Sequence, residues 1–374
     1  MSKRLKIYWF FFLLLLGLFG ACTPQPQPRP LQASPSPRPT RLPPSPTPKP
    51  TPPPSVKGAE LPGRLLFVQR GTIWLWQGQK GKPLLGEGNA WQPAWSPDGL
   101  HLAYIERGES YSDVMLSDAT GSDLLQLTSN SSDAPPASHE HIYGSRWAFY
   151  PTWNPDGSRL LLASQVAPPV GSPAAEYRLA LFLLSPASGG YRQIYAEPNA
   201  HCGKMVLLPD GQTLLYTRMS VDPGGEQQIY WLNWAAEEPK GNPFPGAPPN
   251  SYDPAISPDG QWLAFAAQKK ELTDLWVLPA KAIQAESSPP GPTEDSSPTP
   301  SPQRLTNLGT ARAPAFSPDQ KMLAFLAIPP NQVGFELWIA NLSLSKKGTL
   351  VAQPPHQITF GLGLDPDSGL SWAK

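Results

Sequence analysis

The residues in this chain best suited to chemistry are Ser138-His139-Glu140-His141 and, further on, His201-Cys202. Histidines two apart on an extended segment point the same way. His139, His141 and His201 could therefore converge on a metal ion, with Glu140 or Cys202 nearby as a further ligand. They equally suit a polar loop whose imidazoles meet water, because no zinc-finger or metalloprotease spacing surrounds them. Five aspartates, Asp98, Asp156, Asp210, Asp259 and Asp319, recur at similar intervals and could be read as a ring of carboxylates. Each sits in a Pro-Asp turn, however, where an Asp side chain caps the backbone without any further role. There is no Gly-x-Ser-x-Gly nucleophile elbow and no phosphate-binding glycine loop. No catalytic residue emerges, and no cofactor is expected beyond the metal ion that the histidines could hold.

The elements that must position these residues are written as a repeat. Trp95-Ser96-Pro97-Asp98-Gly99 returns as Trp153-Asn154-Pro155-Asp156-Gly157, Leu208-Pro209-Asp210-Gly211, Ser257-Pro258-Asp259-Gly260 and Ser317-Pro318-Asp319-Gln320. Proline presets φ, aspartate caps the turn, and glycine supplies the positive φ that closes a hairpin. A short apolar stretch with leucine third follows each turn, from Leu100-His101-Leu102-Ala103-Tyr104 to Lys321-Met322-Leu323-Ala324-Phe325. Gly63-Arg64-Leu65-Leu66-Phe67 is a sixth copy with no turn before it. A second shared strand comes next, from Ile73-Trp74-Leu75 to Leu337-Trp338-Ile339. Short aromatic-rich strands repeating about every fifty residues read as propeller blades. The expected fold is all-β, a six-bladed β-propeller of four-stranded blades. The first blade lacks an inner strand, and Trp372 falls where Trp95, Trp153 and Phe316 fall in their units. The C-terminal strand should thus complete blade one and leave no sheet edge at the seam.

In such a blade, the connections into each inner strand share a face with those joining the second and third strands. That face carries the three histidines and the long loops 131–150, 165–177 and 221–227; the other is largely tight turns. Loops on a rigid scaffold build binding sites, and aromatic residues and arginine dominate interface energetics. Tyr143, Arg146 and Trp147 are the expected partner contacts, although Trp147 could instead pack its loop onto blade three.

Ahead of the propeller, Lys3, Arg4 and Lys6 precede an apolar run at 7–19 that is short for a membrane span and suits a signal peptide. It ends at Leu18-Phe19-Gly20-Ala21-Cys22, which resembles a bacterial lipobox, with Cys22 the lipidated residue. The expected organisation is therefore a lipoprotein signal peptide at 1–22, a tether at 23–58 and the propeller at 59–374. Residues 23–56 hold fifteen prolines, four basic residues and no acidic ones, a composition that cannot bury a core. As a polyproline-like spacer it would reach on the order of 100 Å. A Ser/Pro/Thr/Glu-rich insertion at about 283–302 reads as a disordered surface loop. With 29 basic and 29 acidic residues the chain has no net charge, which argues against a nucleic-acid partner.

Residues 92–108 (QPAWSPDGLHLAYIERG) resemble the TolB-like β-propeller repeat family, and the resemblance covers nearly all of the folded region. It implies the propeller fold and an extracytoplasmic, envelope setting. Family members carry an α/β domain ahead of the propeller, whereas a Pro-rich tether stands in its place here. Functions of that domain do not carry over. Two classes of function follow. One is a lipid-anchored binding or scaffold propeller that recognises an envelope protein or polysaccharide through its long-loop face. The other is a metal-dependent small-ligand binder or enzyme using His139, His141 and His201. Replacing Cys22→Ala should release the protein from membranes, because one cysteine would carry all the lipid. Fatty-acid labelling and membrane fractionation check this; a retained variant beside an unlabelled wild type would exclude the anchor.

Overall fold

The computed structural model describes residues 56–136, 138–166, 178–222, 224–283 and 300–374. Cys22, the tether up to residue 55 and insertion residues 284–299 lie outside the described residues, as do 167–177 of one long loop. The described chain forms six antiparallel sheets arranged as propeller blades. Their inner strands are Ser371–Ala373 in blade one, then Ala90–Trp95, Ala148–Trp153, Ala200–Leu207, Ser251–Ile256 and Arg312–Phe316. Blades two to five each have four strands in simple order. Blade six adds a fifth, and blade one has three, two of them fourteen residues long. The first long strand starts at Val56, three residues before the expected boundary at 59.

The hairpin turns form as their chemistry requires. Gly99 N–H donates to Ser96 O at 2.8 Å and takes φ 69°. Asp98 Oδ1 accepts from Ser96 Oγ at 2.5 Å and from Leu100 N–H at 2.9 Å. The other four turns repeat this arrangement: Asp156, Asp210, Asp259 and Asp319 each accept from a backbone N–H two residues on. Blade six places Gln320 at φ 62° where the other turns have glycine. With its amide nitrogen facing Asp259 of blade five at 2.8 Å, this side chain ties two neighbouring turns together.

Hydrophobic burial lies between blades. Six apolar clusters occur, one at each of the six interfaces: Leu66 and Tyr104 between blades one and two, Ile105 and Leu162 between two and three, Leu183 and Tyr216 between three and four. Leu215 and Phe265 belong to the next, Val277 and Phe325 to the fifth, and Leu326 and Phe67 to the sixth, which closes the ring. Every blade is therefore apolar on both faces. The strands accordingly read as near-continuous apolar runs, such as Leu160–Gln165, buried throughout.

Closure is made by the last residues. Arg64, Leu65 and Leu66 pair with Ala373, Trp372 and Ser371. Trp372 Nε1 donates to Pro62 O at 2.6 Å, and Arg64 Nε to Lys374 O at 3.1 Å. Arg64 also donates to Gly99 O at 2.7 Å while its guanidinium lies 4.5 Å from the Trp95 ring centre. The seam thus holds blade one to blade two as well as to itself. Removing residues 368–374 should cost at least about 3 kcal/mol, by analogy with loss of a large core side chain. A denaturant titration of the truncated propeller reads this directly; an unchanged midpoint would contradict the closure.

Candidate functional site

Around the propeller axis, one register position of each inner strand faces its counterparts. A register shift interrupts the pairing between Trp91 and Ala94, Phe149 and Thr152, Cys202 and Met205, Tyr252 and Ala255, and Arg312 and Ala315. Gln92, Tyr150, Asp253 and Ala313 occupy these bulges with φ between 51° and 57° and are each followed by proline. Proline cannot donate to the ladder, so a bulge is where a strand accepts it. The left-handed conformation costs an ordinary residue about 1–2 kcal/mol. In blade one the position is Gly369, at φ 70°. In blade four it is Lys204, which has neither a positive φ nor a following proline.

The ring is cross-linked by polar contacts between blades. Gln92 Oε1 accepts Tyr150 N–H at 2.8 Å, and Asp253 Oδ2 accepts Ala313 N–H at 3.1 Å. Asp253 is also paired with Arg312 at 3.1 Å and lies 3.7 Å from Lys204; Arg312 in turn reaches Asp367 at 2.9 Å. The Asp253 side chain is only 7% exposed, against 18% for Lys204 and 65% for Asp367. Burial works to raise the Asp253 pKa, but Lys204 and Arg312 outweigh it and hold the carboxyl below its usual value. Burial likewise pushes the Tyr150 hydroxyl up to about 12, so it is a neutral donor at physiological pH.

With this geometry in place, the likeness to known structures is one of fold. TolB from Acinetobacter baumannii superposes over 85% of this chain and 68% of that one, with TM-score 0.56 and 18% identity. The nidogen/laminin complex covers 82% of this chain and 97% of the matched chain, with TM-score 0.51 and 11% identity. The architecture is a TolB-like propeller. No family model and no curated protein matches the sequence.

The histidines do not come together in the way an extended segment would allow. Residues His139–Gly144 form a short helix, with Ser138 capping it through His141 N–H at 3.0 Å. Successive residues in a helix turn by about 100°, so positions two apart diverge. His139 is exposed and stacks on Tyr143 at 4.1 Å between ring centres, whereas His141 is buried and donates from Nδ1 to Ala134 O at 2.9 Å. His201 Nδ1 accepts Leu179 N–H at 3.2 Å. Among the described residues, no three His, Cys, Asp or Glu side chains are grouped to hold a metal ion. Cys202 is buried, and that burial pushes its thiol up to about 12, away from the thiolate that a metal would need. The turn aspartates cap their own turns and form no carboxylate ring.

Of the expected partner contacts, Tyr143 and Arg146 are half-buried on the long loop, and Trp147 stacks on Phe149 at 6.2 Å between ring centres. Trp147 thus also packs onto blade three. Sequence reasoning missed the axial ring, although the triplets Gln92-Pro93-Ala94, Tyr150-Pro151-Thr152, Asp253-Pro254-Ala255 and Ala313-Pro314-Ala315 announce it. It also missed the anchors of the long-loop face. Asp113, Asp274 and Glu336 each lie within the first three residues of a third strand and accept from a threonine beyond the outer strand, Thr128, Thr306 and Thr359, at 2.6–2.8 Å. The triplets Gln126-Leu127-Thr128, Arg304-Leu305-Thr306 and Gln357-Ile358-Thr359 are the readable signal.

Replacing Asp253→Asn leaves Lys204 and Arg312 without their shared carboxylate and should cost about 3 kcal/mol. Because the folded-state pKa is lowered, the carboxylate's contribution is complete above the unfolded value, near pH 4, and is lost as pH falls through the folded one. Urea midpoints of the two proteins should therefore differ at neutral pH and converge in acid. A gap that persists at the lowest pH would show that packing, and not charge, is what Asp253 supplies.

Proposed function

We propose that this chain is a lipid-anchored, extracytoplasmic binding propeller that recognises an envelope protein or polysaccharide through its long-loop face. The observation that carries the reading is the surface chemistry at the centre of that face. Arg107 lies over Trp91 with 4.3 Å to the ring centre, and Arg312 over Tyr252 at 5.2 Å. All four side chains are partly exposed at the ends of strands beside the axis. Arginine held on an aromatic face, half-desolvated and surrounded by loops, is the composition of an interface centre. The short helix bearing Tyr143 and the loop bearing Arg146 sit on the same face, between blades two and three. Exposed Phe360 and Val333 extend it with apolar surface at blade six.

The opposite face supports this reading by contrast. Its turn aspartates and serines are engaged within their own turns, so these polar side chains are not offered to a partner. The lipid anchor and the envelope setting rest on the Cys22 motif and on the TolB-like repeats. Partner capture from membranes of the native host, with the full chain as bait, tests the surface. The double replacement Tyr143→Ala and Arg146→Ala should lower capture by about tenfold or more, since central aromatic and arginine contacts each contribute on that scale. Deleting residues 287–300, which connect the third and fourth strands of blade five, should leave capture intact. The reverse pattern would place the partner on the turn face.

A further inference from the structure

The axis contains a cavity of about 300 Å³ that extends from the axial ring to the Pro-Asp-Gly turns. It lies at the lower end of the size range of small-molecule sites. Its wall is built from the turn-proximal ends of the inner strands: the aromatic residues Trp95, Trp153, Phe316 and Trp372, with the ring prolines behind them. Among the described residues, Lys204 is the only charged one on its lining. Three lining residues have a buried polar atom with no hydrogen-bond partner: Lys204 Nζ, Ser368 Oγ and Trp95 Nε1. All three can donate, and the lysine and the indole can do nothing else.

Lys204 is where the chain departs from its own repeat. At the same position Gln92 and Asp253 present acceptors, and each is filled by a backbone N–H of the next blade. Lys204 presents only donors, at a bulge that lacks the positive φ and the following proline of its neighbours. Its ammonium also crosses the axis. A Cβ added to Gly369, in the opposite blade, would lie 2.7 Å from Lys204 Nζ, so the glycine makes room for the amine. The nearest anion is the Asp253 carboxylate at 3.7 Å, which is already bound to Arg312 and to Ala313 N–H. Burial of a charged amine with so little compensation is destabilising, and burial lowers the Lys204 pKa despite the opposing pull of Asp253. Departures from a repeated rule that carry such a cost are found at functional positions.

We propose that the axial cavity is a binding site for a small carboxylate with a planar or cyclic body, entering from the turn face. The carboxylate would take the donors of Lys204 and Ser368, and the ring would lie among the indoles and Phe316. A carboxylate only accepts, which matches a set of groups that donate, and aromatic walls favour a flat apolar body. This site lies on the turn side of the axial ring, with the proposed partner surface on the ring's other side, and does not depend on that reading.

The test uses the full chain and sodium benzoate as probe. Tryptophan fluorescence should change saturably with benzoate, since three indoles line the cavity. Benzyl alcohol, which keeps the ring and one oxygen but carries no charge, should bind at least about tenfold more weakly, the worth of one charge-assisted hydrogen bond. Lys204→Met should weaken benzoate by a similar factor while leaving benzyl alcohol unchanged. Should that variant fail to fold, photolabelling wild type with 4-azidobenzoate reads the same site, with label expected on inner-strand peptides at the turn end. Absence of saturable binding, equal affinity for acid and alcohol, or label confined to other surfaces would each overturn the proposal.

Discussion

Everything in this molecule depends on the pairing of three residues at the end of the chain with Arg64, Leu65 and Leu66. Each blade is apolar on both faces and has no stable existence with one face bare. Six blades have six interfaces only if the first meets the last. Without the seam, the cluster around Phe67 and Leu326 would open to water, and a sheet edge would lie exposed. Closure also creates the axis. The ring of inner-strand bulges exists as a set of neighbours only because the blades are held in a circle.

That circle is stabilised at its rim and strained at its centre. The rim is ordinary hydrophobic packing. At the centre, four non-glycine residues adopt the left-handed conformation, and an aspartate, an arginine and a lysine are drawn together with little water. Gln92 and Asp253 show what the strain achieves. Each bulge turns a side chain toward the next blade, where it caps a backbone N–H that the bulge itself has left unpaired. The polar centre is therefore a device for satisfying the donors of a curved inner strand, with charge added in blades four to six.

The fold was legible in the sequence because its signals are local and repeated. A Pro-Asp-Gly turn specifies its own geometry, and Trp372 could be matched to Trp95 and Trp153 without knowledge of the rest. The centre was less legible for the opposite reason. Asp253 and Arg312 lie in different blades, and their pairing follows from ring closure and the bulge, neither of which a periodic apolar pattern encodes. His139 and His141 misled because Ser138 reads as a loop residue, whereas its hydroxyl caps a helical turn and sends the two imidazoles in different directions. Lys204 carried no signal in isolation. Its meaning appears only by comparison with the five residues that share its register.

The seam also has a consequence for how the molecule comes into being. Pro62 and Trp372 are 310 residues apart in sequence, so their contact forms only after nearly the whole propeller has been synthesised. The entropy of closing so long a loop rises slowly, by about 0.6 kcal/mol per doubling, so distance alone is a modest thermodynamic burden. The kinetic effect is larger, because non-local pairings come late and set the pace of folding. Until the final strand arrives, blade one must wait as an incomplete sheet with an open edge. A growing chain of this design is therefore most vulnerable to self-association until Ser371, Trp372 and Ala373 are available to pair with blade one, and those residues end that interval.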